Sequence, residues 1–77
     1  INVKHFPSLT DGQRDRLSNL FIEAIKDVIQ CPQGAISVAF EPVAPEIWMT
    51  VVYQNEILGR KDITHTFPDY NASEEAI

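Results

Sequence analysis

The chain has 77 residues and a mass of 8.7 kDa, so it has room for one small domain, which we expect to span residues 1–77. Apolar residues make up 44% of the sequence and charged residues 22%, a balance that excludes wholesale disorder. Six lysines and arginines against eleven acidic residues give a net charge of −5, which argues against a nucleic-acid partner. No apolar run approaches the roughly 18 residues that span a membrane, so we expect no membrane partner either.

Cysteine content and size favour a cytoplasmic protein that associates with itself. Cys31 is the single cysteine and cannot form an internal disulfide, and no basic flank leads into an apolar stretch at the start of the sequence. We therefore expect a reducing, cytoplasmic location. A single core of this size supplies only about 3–5 kcal/mol, and a partner subunit is one of the few ways to add to it.

The first strand and the helix are predicted by period and by capping residues. Residues 1–6 alternate apolar and polar side chains and end before Pro7, which predicts a strand. Thr10 and Gln13 have the spacing of a capping box, in which each side chain binds the backbone N–H of the other. Apolar residues at helical period follow, and they predict a helix from about Asp11 to Gln30: Leu17, Leu20, Phe21, Ala24, Ile25, Val28 and Ile29.

A second alternating segment completes a βαβ unit. Residues 35–40 place large apolar side chains on one face and small side chains on the other, between Gly34 and Pro42. A strand, a long helix and a second strand form a right-handed crossover with parallel strands. We therefore predict a two-stranded parallel sheet with one helix packed on it.

The second half of the sequence leaves alternatives open. Residues 41–45 have the composition of a loop. The apolar run at residues 47–53 contains a β-branched stretch that favours a strand, whereas Pro45 resembles the first residue of a helix. Periodicity does not decide between the two. A short element, a turn and a frayed terminus are predicted at residues 56–60, 67–71 and 71–77.

Candidate site residues are few and are weighed against ordinary packing. His5, Cys31 and His65 are isolated, without the spacing of metal ligands, so we expect them to be surface or half-buried residues and expect no metal. No glycine-rich loop follows the first strand, which argues against a phosphate site. Trp48 follows a proline-bounded loop, where a large ring belongs either to the core or to the wall of a pocket or interface.

Several segments carry a resemblance to a known family through their order and spacing: Ile1–Lys4, Phe6–Pro7, Leu9–Gln13, Pro32, Ile36–Ala39, Glu41–Trp48, Val52–Arg60 and Pro68–Asn71. Together they cover most of the chain. They resemble the 4-oxalocrotonate tautomerase family, and the C-terminal segments look like the extension of its longer, dimeric subgroup.

The resemblance implies an α+β fold: a βαβ protomer with two parallel strands, one long helix and a C-terminal extension, whose sheet is completed by dimerisation. It implies a homodimer, with a hexamer less favoured. It also implies a cofactor-independent keto–enol tautomerase that moves a proton on a small 2-oxo acid or its enol, with an amino-terminal proline as the base. An α-amino group titrates near pH 8 in water, and burial near cations lowers that value, which leaves a neutral base at pH 7.

The sequence departs from the family pattern in three places. The register places the proline two residues before Ile1, so the given sequence contains no residue that corresponds to the base: either the proline precedes this sequence or the protein lacks it. The two arginines that bind a dicarboxylate in the type enzyme correspond to Leu9 and Ser37, which favours an aromatic or monoanionic substrate. The phenylalanine that closes the pocket corresponds to Trp48.

These correspondences predict the substrate-binding residues Ile1, Leu9, Ser37 and Trp48. The group that stabilises the negative charge of the enolate stays unassigned among Arg14, Arg60 and Lys61. The alternative function is a non-catalytic dimeric binding module on the same fold.

Overall fold

The computed structural model describes residues 1–70 and contains the expected βαβ unit. Strand β1 (Asn2–His5) and strand β2 (Ala39–Pro42) form a two-stranded sheet, and helix α1 (Asp11–Ile29) connects them. The strands are parallel, with Asn2 opposite Ala39 and His5 opposite Pro42. The predicted fold class is therefore confirmed at the level of the protomer.

Helix α1 begins and ends where its capping residues allow. The Thr10 hydroxyl accepts from the Gln13 backbone N–H at 3.1 Å, and the Thr10 backbone N–H donates to the Gln13 side chain at 2.9 Å. This reciprocal pair is the predicted capping box. At the other end Gln30 has a φ of 61°, in the left-handed region, and its N–H binds the Lys26 carbonyl. The helix cannot continue through a residue in that conformation.

The predicted position of the second strand is wrong at both ends. Residues Gln33–Ala35 form a 3₁₀ turn, and β2 starts at Ala39 and runs to Pro42, inside the segment predicted to be a loop. Pairing with β1 extends the strand to Pro42, which lies opposite His5. The His5 carbonyl accepts from the Val43 N–H at 2.8 Å, so the ladder does not need an N–H from the proline. A proline at the end of a strand therefore costs this ladder no hydrogen bond.

Residues 45–60, which follow the second strand, are helical. A 3₁₀ turn at Pro45–Ile47 leads into a π-helix at Met49–Ile57, and a second 3₁₀ turn follows at Leu58–Arg60. The helical alternative for residues 47–53 is thus confirmed and the strand alternative is wrong. The predicted fraying of residues 71–77 lies outside the described residues.

The buried core lies under this C-terminal segment and not under α1. Val43, Trp48 and Val52 are the buried hydrophobic residues among those described, and Phe6 and Tyr70 pack against them. Helix α1 has no buried residue, and Leu20 and Val28 on its apolar stripe are 55% and 80% exposed. Within residues 1–70, no helix is both long enough and apolar enough to cross a membrane.

Candidate active site

Two of the four predicted substrate-binding residues meet at the start of the paired strands. The Ile1 nitrogen donates to the Ser37 carbonyl oxygen at 2.7 Å, and the Ile1 carbonyl accepts from the Ala39 N–H at 2.8 Å. Both Ile1 and Ser37 are exposed. This end of the sheet therefore presents an apolar side chain and a serine to solvent.

Trp48 lies in an aromatic cluster beyond the other end of β1. Its ring meets the Phe6 ring edge to face, with 5.0 Å between the centroids, and only 7% of Trp48 is exposed. The indole N–H donates to the Tyr70 hydroxyl at 2.9 Å, and Tyr70 in turn contacts the Tyr53 ring at 5.2 Å. We name Phe6, Trp48, Tyr53 and Tyr70 the aromatic cluster. Trp48 is thus a member of the core in a single copy of the chain.

Leu9 lies beside a shallow groove at the beginning of α1. It is half-buried, and its carbonyl accepts from the Arg14 guanidinium at 3.1 Å. The groove has a volume of about 330 Å³ and is open to solvent; it is lined by Leu9, Gln13, Arg16, Leu17 and Leu20. Arg16 was not singled out from the sequence, where it is one of many charges on the polar side of the helix.

The predicted site residues therefore fall into two groups within one chain. From Ile1 to Phe6 the strand covers about 16 Å, at roughly 3.3 Å per residue. Ile1 and Ser37 lie at its start, whereas Trp48 packs on Phe6 at its end and Leu9 follows three residues later. A single chain brings Ile1 to Ser37 but not to Trp48.

Two of the three candidate cations already have partners. The Arg14 guanidinium pairs with Asp11 as well as with the Leu9 carbonyl, and Arg60 pairs with Glu56 at 3.3 Å. Lys61 is exposed, and within residues 1–70 it has no ion pair. None of the three is placed by these contacts against the aromatic cluster or the start of β1.

His5 was predicted to be a surface or half-buried residue, and this prediction is wrong, because the residue is fully buried. It is 2% exposed, and its ring contacts Phe40 edge to face. Its Nδ1 lies 2.6 Å from the Phe6 carbonyl oxygen and so carries the proton, while Nε2 has no partner among residues 1–70. The sequence did contain a sign of this burial, because His5 lies on the same face of the strand as the apolar residues Ile1 and Val3. Within the same residues, no three His, Cys, Asp or Glu side chains gather as metal ligands do.

Comparison with known proteins places the chain in a family. A scan against protein-family models finds no match. The chain is 34% identical over 71 residues to Tautomerase PptA from Cronobacter sakazakii (strain ATCC BAA-894), and the match covers 91% of this chain and 93% of that protein. Similarity at this level over nearly the whole of both chains, together with the parallel βαβ unit, identifies the chain as a member of the 4-oxalocrotonate-like tautomerase family of isomerases.

Proposed function

We propose that the protein is a cofactor-independent keto–enol tautomerase that acts on a small aromatic or monoanionic 2-oxo acid or its enol. The observation that carries this proposal is the match to a protein named as a tautomerase over 91% of the chain. The substrate class and the base come from the position-by-position resemblance and from the contacts of the matching residues.

The proposed base is an amino-terminal proline two residues before Ile1. Side chains two positions apart on a strand share a face, so this proline belongs to the face of the sheet that carries Ile1 and Val3. The Ile1 nitrogen bonds to Ser37, which aligns the start of β1 with the chain that leads into β2. This contact, which uses the Ser37 backbone carbonyl, brings Ser37 to the same end of the sheet as the proposed base.

Two copies of the chain are needed to bring the two groups of site residues together. Within one copy, Ile1 and Trp48 lie at opposite ends of β1. An antiparallel arrangement about a two-fold axis places the start of β1 in one protomer beside the end of β1 in its partner. We propose a homodimer in which Trp48 and Leu9 of one protomer wall the base of the other.

Uncovered apolar surface supports self-association. Leu20, Ala24 and Val28 follow one another at four-residue spacing along α1, and all three are exposed. Burial of such a stripe drives stable subunit contacts, which are more apolar than the rest of a protein surface. A second copy also offers further strands to a two-stranded sheet, which is marginal alone.

The positions of the positively charged side chains in the described chain argue against a dicarboxylate substrate. Leu9 and Ser37 carry no charge at the two positions where the type enzyme has arginines, and Arg14 beside Leu9 is occupied by Asp11. Charge-assisted hydrogen bonds are the strong ones, so a second carboxylate has little to gain here. The enol of an aromatic 2-oxo acid fits better, because its ring can rest on apolar walls.

The decisive experiment compares the turnover of two substrates by the protein with its natural N-terminus. The intact mass of that protein shows whether proline is its first residue. We expect phenylenolpyruvate to have a higher kcat/KM than a dienol dicarboxylate. Equal or reversed values would show that other cations serve the second carboxylate. A folded protein with no N-terminal proline and no turnover of either substrate would instead favour the non-catalytic binding module.

The shared site has its own test, in which two inactive variants are mixed. One variant carries an alanine in place of the N-terminal proline, and the other carries Leu9→Asp, which places a negative charge where an anionic substrate is proposed to bind. Mixed dimers then contain one site with neither change, so we expect activity to return on subunit exchange. Activity that stays absent in verified mixed dimers contradicts a site shared between protomers.

A further inference from the structure

The hydrogen bond between Trp48 and Tyr70 leaves a phenolic proton available. An indole N–H can only donate, so the Tyr70 oxygen is the acceptor in the 2.9 Å contact with Trp48. A hydroxyl that accepts in this way keeps its own proton for a further partner. Among residues 1–70, no acceptor forms a hydrogen bond with that proton.

The surroundings of Tyr70 hold its hydroxyl in place. The ring is half-buried, packs against the core and meets the Tyr53 ring at an interplanar angle of 65°. Trp48, which fixes the hydroxyl oxygen, is 7% exposed. The cluster against which Tyr70 packs is apolar and consists of Val43, Trp48 and Val52. A fixed donor in apolar surroundings is what stabilisation of an oxyanion requires, because no reorganisation is needed when the charge develops.

We propose that Tyr70 donates a hydrogen bond to the substrate oxygen on which the enolate charge develops, and that Trp48 is the residue that positions it. The proposal rests on the proposed tautomerase function and on Trp48 as a wall of that site. It assigns the charge-stabilising group, for which Arg14 and Arg60 are poorly placed because each is paired with a carboxylate of its own helical segment.

The proton balance of the step is simple. The base takes the proton from the carbon beside the carbonyl, and the electron pair of that C–H bond forms the carbon–carbon double bond. The carbonyl electrons move to oxygen, which becomes the enolate oxygen and accepts the Tyr70 hydrogen bond. The base then returns its proton to the oxygen, or in the reverse direction to the carbon. Tyr70 keeps its own proton throughout.

Tyr53 provides a matched control for a test of Tyr70. It belongs to the same aromatic cluster, and its hydroxyl makes no hydrogen bond within residues 1–70. Tyr70→Phe and Tyr53→Phe each remove one hydroxyl and keep the ring pair. With phenylenolpyruvate as the probe, we expect Tyr70→Phe to lower kcat about 100-fold, the scale for loss of one oxyanion donor, with KM within threefold. Tyr53→Phe should leave both constants within twofold of the parent protein.

Trp48→Phe tests the positioning role. It keeps an aromatic ring beside Phe6 but removes the N–H that fixes the Tyr70 oxygen, so we expect an intermediate loss of kcat. The double variant with Tyr70→Phe should be no slower than Tyr70→Phe alone, because both changes act through one hydroxyl. Full additivity of the two losses would contradict this coupling.

The outcomes separate the two proposals. An active parent protein with a folded Tyr70→Phe variant of unchanged kcat overturns the role of Tyr70 and leaves the tautomerase function standing. A parent protein with its natural N-terminus and no activity overturns the function itself. If circular dichroism shows Tyr70→Phe to be unfolded, Trp48→Phe decides: a lower kcat at unchanged KM supports the proposal, and an unchanged kcat overturns it.

Discussion

The two halves of the described chain differ in a way that sequence periodicity does not show. The β1–α1–β2 half has regular secondary structure and clear capping, yet its helix has no buried residue. The half from Val43 to Tyr70 has only short 3₁₀ turns, a π-helix and irregular chain, yet it contains all three buried hydrophobic residues of the described chain. The regular secondary structure therefore lies in one half, and the buried hydrophobic residues lie in the other.

The division is explained by what each half packs against. The C-terminal segment finds its partners within the same chain, since Trp48 contacts both Phe6 and Tyr70. The outer stripe of α1 has no such partner within residues 1–70, so Val28 remains 80% exposed. The exposed stripe of α1 in the N-terminal half is the subunit contact that we propose, whereas the buried hydrophobic residues of the protomer lie in the C-terminal half. This contrast leads to different expectations for mutations in the two halves.

Trp48→Ala should have the largest effect on stability. Removal of a buried tryptophan leaves a cavity and costs about 3–5 kcal/mol, comparable to the whole stability of a small domain. Leu20→Ala, at a 55% exposed position of the other half, should cost far less in the free energy of unfolding of the protomer. Urea unfolding followed by circular dichroism measures both. Equal costs for the two variants would contradict the assignment of the core to the C-terminal half.

Val28→Glu should separate association from folding. Val28 is 80% exposed in the protomer, so a carboxylate there disturbs nothing within one chain, but it places a charge in the proposed subunit contact. We expect the dimer dissociation constant to rise at least tenfold, with helix content unchanged. Analytical ultracentrifugation over a range of protein concentrations measures the change.

The matched control adds the same charge to the polar side of α1. Asn19→Glu changes an exposed residue outside the apolar stripe, and it should leave association unchanged. If Val28→Glu associates as tightly as the parent protein, the stripe is not the subunit contact, and the exposed apolar residues of the C-terminal half become the next candidates: Ile47, Met49, Leu58, Ile63 and Phe67.

The elements that could be predicted from the sequence are those set by local chemistry. The capping box at Thr10 and the apolar period fixed the start and type of α1 because both depend on residues within a few positions of each other. The limits of β2 were predicted wrongly because they depend on pairing with β1, a contact more than thirty residues away in sequence. The choice between strand and helix for residues 47–53 stayed open because a short apolar run suits either structure.

The candidate site was predictable only through the resemblance to a family. The resemblance led us to predict Ile1, Leu9, Ser37 and Trp48 as site residues, but no sequence pattern shows that Ile1 and Trp48 lie at two ends of one strand. The hydrogen bond from Trp48 to Tyr70 joins residues 22 positions apart, and the sequence alone gives no reason to pair them. Contacts between distant residues therefore carry most of what the structure adds.

Thr10→Ala tests how much the capping box at the start of α1 contributes to the stability of the protein. The Thr10 hydroxyl accepts from the Gln13 N–H, and loss of such a cap costs about 1 kcal/mol. We expect a fall of this size in the free energy of unfolding measured in urea. Ser8→Ala is the control, because it removes an exposed hydroxyl just before the cap and should change stability by less than about 0.5 kcal/mol.

Gln30→Gly should have the smallest effect on the free energy of unfolding and, unlike Thr10→Ala, should raise it. Gln30 is the one described residue other than glycine with a positive φ, at 61°, and glycine adopts that conformation without steric cost. The gain is partly offset because glycine adds freedom to the unfolded chain, so we expect a net stabilisation of about 0.5 kcal/mol. Gln33→Gly, three residues later in an ordinary 3₁₀ turn, has only the entropic cost and should destabilise the protein slightly. Thermal unfolding at one protein concentration measures both variants. Changes of opposite sign in the unfolding temperature would confirm that the strained backbone at the end of α1 is that of Gln30. Two shifts of the same sign contradict it.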